Sequence, residues 1–158
     1  MIDKELVSQI YEYKDGALYW KNCSKKNKNG KLAGNINSNG YCRVWVNKKL
    51  YDSHRIIFLM FHGYIPENVD HIDGNPLNNK IENLRAATYR QNAQNRKVRK
   101  DNELGIKGIK KNGNKFMVRV QIKTNKRKCF GSFDNLELAE LVAIEARDKY
   151  HKEFAKHG

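Results

Sequence analysis

The sequence predicts an α+β fold in two parts: a β-rich lead-in with one core helix and a strand–loop–strand–helix segment, then a small three-stranded antiparallel sheet packed on one helix. Three observations carry this. "YCRVWV" (41–46) and "KFMVRVQIK" (115–123) alternate with the two-residue period of half-buried strands. "SHRIIFLMFHG" (53–63) is densely apolar at helical length, while residues 135–154 place Ala139, Val142, Ala143, Ala146, Tyr150 and Phe154 on one helical stripe. The charge also segregates: residues 107–128 carry nine Lys or Arg and no acid, whereas 131–158 carry six acids against four bases.

Taken in order, residues 1–16 space Leu6, Ile10 and Tyr13 as a short helix ending near Gly16. "ALYW" (17–20) is a strand, followed by a Lys-, Asn- and Gly-rich loop that is either a solvated surface or a phosphate contact. The 53–63 helix has Ser53 as its expected cap and Gly63 as its stop. Residues 69–97 combine turn formers with a capping-box pattern at Thr88–Gln91, which predicts a strand, a loop, a return strand "ENLRAAT" and a helix. "KDNELG" (100–105) marks a linker, which divides the chain into 1–100 and 101–158. In the last third, Phe116, Val118, Val120 and Ile122 form the buried strand face, and Met117, Arg119, Gln121 and Lys123 the polar one. A strand near "GIKGIKK" precedes them, and a turn at Thr124–Asn125 follows.

The 31 Lys plus Arg against 17 Asp plus Glu give a net charge of +14, a field that favours a polyanionic partner, nucleic acid first. No apolar run reaches membrane-spanning length and the N-terminus lacks a signal-peptide core, so the expected location is cytoplasmic, in a phage-infected host cell, with no membrane partner. Cys23, Cys42 and Cys129 are far apart with no CxxC pair, which suggests neither a zinc knuckle nor a disulfide framework and predicts reduced, mostly structural thiols.

Cleaving a phosphodiester calls for an activated water, charge neutralisation at phosphorus and help for the leaving oxygen. A hard divalent cation on oxygen ligands supplies the last two and a histidine the first. "VDHIDGNPLNNKIENLRAATYRQNAQNRK" (69–97) holds both kinds of group: Asp70, then His71, then a chain-reversing loop, with Asn92 and Asn95 one turn apart on the following helix. Adjacent strand residues face opposite sides, so either the strand is distorted at Asp70 or a metal sits at its edge. Asp73, before Gly74, reads as a turn residue rather than a third ligand.

That segment resembles the HNH (ββα-metal) nuclease motif of phage and intron-encoded homing endonucleases, with the ββα core at about 66–97. The resemblance implies His71 as general base, Asp70 and Asn92 as ligands of one Mg2+ or Mn2+ ion, and Asn83 as the residue that stabilises the loop. Where the family often has His at its third position this sequence has Asn92, a neutral donor. Upstream, residues 37–63 are similar to the strand–helix lead-in of phage proteins. Downstream, residues 105–155 resemble an APETALA2-type DNA-binding domain, with Phe116 where that family usually has Trp.

Together these features predict a metal-dependent endonuclease that cleaves double-stranded DNA at preferred sites, as a nicking or homing-type enzyme, with no small-molecule substrate and a monomeric or weakly dimeric state. The expected DNA contacts are Lys107, Lys110, Lys115, Arg119, Gln121, Lys123 and Arg127 on the sheet, with Arg55, Arg90, Arg96 and Lys97 in the first part. The competing classes are a non-catalytic DNA-binding regulator with a vestigial HNH segment and a basic RNA-associated protein. His62, His151 and His157 lack a carboxylate at metal-ligand spacing and read as surface residues.

Overall fold

Backbone contacts in a computed structural model divide the chain into two units, Met1–Thr88 and Tyr89–Gly158. The structure describes residues 2–96, 98, 101–123 and 125–157, so Lys97 and Thr124 lie outside the described residues. Among the described residues the secondary structure is mixed α and β, with four small sheets.

In the first unit, helix α1 (Lys4–Ile10) is capped by the Asp3 carboxylate, which accepts from the Leu6 N–H at 2.8 Å. The chain then turns into strands β1 (Tyr11–Lys14) and β2 (Ala17–Trp20) instead of continuing as helix to residue 16. The reason is local. Asp15 and Gly16 adopt φ values of 45° and 83°, the turn that a two-residue hairpin needs, and Tyr11 alternates inward against the exposed Glu12. Strands β3 (Asn35–Ile36), β4 (Cys42–Val46) and β5 (Lys49–Asp52) form an antiparallel sheet that buries Val44 and Val46. A second left-handed turn, at Asn47 and Lys48, joins β4 to β5.

Helix α2 (Ser53–His62) follows directly. Ile56, Ile57, Phe58 and Leu59 are all buried, so the helix is covered on most of its circumference and organises the core with Val7, Tyr11, Leu18 and Val69. Its cap position is held by Asp52, not Ser53; that carboxylate pairs with Arg43 at 3.2 Å, and the buried Ser53 lies inside the first turn. At the far end Gly63 takes φ 79° and donates to the Leu59 carbonyl. Strands β6 (Asn68–His71) and β7 (Leu84–Ala87), separated by a loop and the 3-10 turn Ile81–Asn83, complete the unit.

The second unit opens with helix α3 (Tyr89–Asn95), which packs on the C-terminal 3-10 turn Lys152–Phe154. The division therefore falls ahead of the composition boundary at residue 100. Arg90, which donates to the Ile122 carbonyl, also ties α3 to this unit. Strands β8 (Ile109–Asn112), β9 (Lys115–Lys123) and β10 (Lys126–Phe133) form an antiparallel sheet with β9 in the centre. Helix α4 (Leu136–His151), capped by the Asn135 side chain, lays Ala139, Ala143 and Ala146 against Ile109, Val118 and Val120. Three alanines in line let helix and sheet approach closely and leave the opposite sheet face to the cations.

Gly34 sits at φ 98°, and a Cβ there would lie 2.7 Å from the Arg43 carbonyl oxygen and 2.8 Å from Cys42 Sγ. A Cβ at Gly63 would meet open space. Gly63→Ala is expected to cost about 1 kcal/mol from backbone strain alone, and Gly34→Ala at least about 2 kcal/mol because the contact adds to the strain. Urea unfolding followed by tryptophan emission checks this, since Trp20 and Trp45 both lie in the first unit and are the only tryptophans.

Candidate active site

The hairpin of β6 and β7 has an unbroken register that sets Val69 opposite Ala86, Asp70 opposite Arg85 and His71 opposite Leu84. The strand is thus not distorted at Asp70. Alternation sends Val69 and His71 toward α2 and the core, and Asp70 with Arg85 to the other face. Asp70 is only 3% exposed, and both Arg85 Nε and Arg85 Nη2 reach its Oδ2 at 2.9 Å. Two nitrogens converging on one oxygen orient the carboxylate, and a charge this deeply buried depends on such a partner.

The loop between the strands is an asparagine lattice. Asn83 donates through Nδ2 to Asp73 Oδ1 (3.0 Å) and to the Asn78 carbonyl (2.8 Å), and its Oδ1 accepts from the Asp73 N–H at 3.0 Å. Asn78 Nδ2 donates to Asp73 Oδ2 at 2.7 Å, and the Asn75 N–H donates to Asp73 Oδ1 at 2.7 Å. Burial opposes the charge on Asp73, but these hydrogen bonds outweigh it and hold the carboxyl below its ordinary range. Asp73 is thereby committed to the loop.

Asn79 does something different. It is buried, and its Oδ1 lies 2.8 Å from His71 Nε2. A carbonyl oxygen can only accept, so in this contact Nε2 is the donor. The His54 ring, from the first turn of α2, lies 4.9 Å from the His71 ring in an edge-on arrangement, and Tyr41 tilts over both at 5.6 and 6.2 Å.

Of the residues expected from sequence, Asp70, His71 and Asn83 come together in this hairpin. Asn92, half-buried, and Asn95, buried, both lie on α3 in the second unit. Among the expected DNA contacts, Lys110, Arg119, Gln121, Lys123 and Arg127 are exposed on the sheet, where Gln121 pairs with Arg127. Arg119, Gln121, Asn125, Lys126 and Arg127 line a shallow depression of about 450 Å³ on it. Arg96 is exposed, and Lys115 is exposed and lies 3.5 Å from Asp134. Three others are engaged within the protein. Arg55 donates to the Pro66 and Glu67 carbonyls, Arg90 to the Ile122 carbonyl, and the Lys107 amine to the Gln94 and Arg96 carbonyls. Lys97 lies outside the described residues. Sequence reasoning gave Arg85 and Asn79 no part in the site; the strand register, once known, would have found Arg85.

Burial, then His71 and Arg55, pushes the His54 pKa from 6.5 down to about 3. The unfolded chain therefore binds a proton that the folded chain refuses between pH 6.5 and about 3. Stability of the first unit is expected to fall as pH drops through that window, by on the order of 1 kcal/mol per pH unit. Urea midpoints between pH 7 and 5 should show this decline for the wild type and a shallower one for His54→Phe.

Residues 51–94 match a family model described as HNH endonuclease, a span that runs from β5 through the hairpin into α3. The chain is 37% identical over 98 residues to protein 3.8 of Escherichia phage T7, an alignment covering 60% of this chain and 80% of that protein. It is 44% identical over 68 residues to an uncharacterized HNH endonuclease of Acanthamoeba polyphaga mimivirus, covering 41% of this chain and 36% of that one. Protein 7.7 of Escherichia phage T7 is 40% identical over 63 residues, covering 39% of this chain and 48% of that protein. No solved structure matches. With 80% of the phage relative aligned at this identity, the chain belongs to the family of protein 3.8 and carries an HNH endonuclease domain at residues 51–94.

Proposed function

We propose that this chain is a metal-dependent endonuclease that hydrolyses phosphodiester bonds of double-stranded DNA, with His71 as general base. The observation that carries the reading is the His71–Asn79 bond, because it fixes the tautomer that a base needs. With Nε2 donating to Asn79, Nδ1 is the nitrogen that takes a proton from water, and the positive charge that develops on the ring is spread toward the Asn79 oxygen. Asn83 holds the loop that carries Asn79, so it acts on the base through the backbone. His54 and Tyr41 limit rotation of the His71 ring.

The donor chemistry fits a hard divalent cation. Asp70 and Asn92 offer carboxylate and amide oxygens, the donors that Mg2+ or Mn2+ takes while keeping several waters. Among the described residues no three His, Cys, Asp or Glu side chains cluster, so a closed zinc-type cage has no ligand set. Asp70 and Asn92 would hold one such ion, which when bound neutralises charge on the phosphate and on the leaving 3′ oxygen. Arg85 keeps the Asp70 carboxylate in place on its strand.

The exposed sheet of the second unit serves as the duplex-docking surface, in keeping with its resemblance to an APETALA2-type domain. Arg119, Gln121 and Arg127 are spaced along strands, and Arg and Gln can make paired contacts to guanine and adenine edges.

Nicking of supercoiled plasmid with Mg2+ or Mn2+ tests the reading. His71→Ala is expected to lower the rate by on the order of 100- to 10,000-fold, and Asn79→Ala by about 10- to 100-fold. Duplex affinity should be unchanged in both. If about eight phosphates are neutralised, log affinity should fall against log salt with a slope of about −7. Wild-type protein that binds duplex DNA and never nicks it, or a His71→Ala variant that nicks at the wild-type rate, overturns the catalytic reading in favour of a DNA-binding regulator.

A further inference from the structure

The Lys-rich loop after β2 admits two readings from sequence, a solvated surface or a phosphate contact, and its construction separates them. Residues 16–51 hold eight Lys or Arg and no acid, with five of the lysines between 21 and 31. The carboxylates that bound this stretch are already engaged: Asp15 lies 2.8 Å from Lys80, and Asp52 3.2 Å from Arg43. Lys21, Lys25, Lys28 and Lys31 are all exposed, and none of the four forms an ion pair among the described residues.

The backbone beneath these cations is tied down. The Gly30 N–H donates to the Trp20 carbonyl at 2.7 Å and the Trp20 N–H to the Lys31 carbonyl at 3.0 Å, which closes the loop at its base. The Lys21 N–H and Asn22 Nδ2 donate to the Ile10 and Gln9 carbonyls, which fasten it to the end of α1. Inside the loop, Asn29 Oδ1 accepts from the Cys23 N–H at 2.8 Å, around the 3-10 turn Lys26–Lys28. Asparagines thus hold the loop while the four lysines face solvent. Lys28 Nζ lies over the Trp20 ring, 5.8 Å from its centroid, a cation–π contact that keeps its ammonium on the loop surface. Solubility alone is served by interspersed charges of both signs. A fixed array of one sign raises repulsion in the free protein, and a polyanion relieves it.

We propose that this loop is a second DNA contact, carried by the first unit, in which Lys21, Lys25, Lys28 and Lys31 neutralise phosphates of the duplex backbone. It rests on the reading of duplex DNA as the partner and adds a surface distinct from the cationic sheet. Lysine is a compact point charge without the paired geometry of arginine, so the loop fits phosphates and reads no bases. It adds affinity at any sequence and leaves site preference to other residues.

The test measures affinity of the full chain for a short labelled DNA duplex across a salt series in EDTA, where no metal-dependent cleavage occurs. Replacing Lys21, Lys25, Lys28 and Lys31 together by Gln should flatten the slope of log affinity against log salt by about 3 to 4. A control that removes the same charge elsewhere, with Lys4, Lys14, Lys80 and Lys149 replaced by Gln, should keep the wild-type slope to within about 1. Should the loop variant fail to fold, Lys25→Gln with Lys31→Gln alone should still flatten it by about 2. A chain that never nicks can pass this test and a chain that nicks can fail it, so the loop and the nuclease reading fall separately. An unchanged slope in the loop variants, equal flattening in the control, or a loss confined to duplex RNA overturns the contact.

Discussion

The pairing register of β6 and β7 is the constraint on which the first unit's candidate site depends. One register places Asp70 against Arg85 on one face and sends His71 to the other, against α2. A slip by one residue would exchange the faces, turning Asp70 toward α2 without its guanidinium and lifting His71 off Asn79. What prevents the slip is the loop. Asn83 and Asp73 bind each other through both side-chain and backbone groups, and Asn78 closes the same lattice, so the number of residues between the strands has one satisfied arrangement. The core reinforces it, because Val69 and Leu84 fit into the α2 cluster only in that register.

Most of the architecture could be read from the sequence where periodicity and burial agree. The alternation of Val118 and Val120 against Arg119 and Gln121 gave the central strand, and the apolar density of 53–63 gave the core helix. The start of the chain was less legible: Leu6, Ile10 and Tyr13 have helical spacing, yet the Asp15–Gly16 turn makes Tyr13 part of a strand. Arg85 stood in plain view as one of many basic residues, and its pairing with Asp70 is a cross-strand relation that no local pattern encodes. Asn79 sits among turn-forming asparagines, and only its burial against His71 separates it from them. His151 lacked a carboxylate at metal-ligand spacing and so read as surface, whereas its partner is a backbone carbonyl one strand away.

Sequence family and spatial packing divide this chain at different places. The HNH match runs to residue 94, inside α3, while α3 packs in the second unit with the 3-10 turn that follows α4. The Lys107 amine, seated on the Gln94 and Arg96 carbonyls, holds the end of α3 to the segment that leads into β8. A helix carrying Asn92 is thus anchored by the unit that also carries the cationic sheet.

The tautomer of His71 tests the proposed chemistry at its centre. Nitrogen-15 NMR of the imidazole in the full chain, at a pH where the ring is neutral, distinguishes a ring protonated on Nε2 from one protonated on Nδ1. The His71–Asn79 bond predicts the Nε2–H form in the wild type and a mixture of the two in Asn79→Ala. A wild-type ring protonated on Nδ1, or a tautomer indifferent to Asn79, would contradict the assignment of His71 Nδ1 as the base.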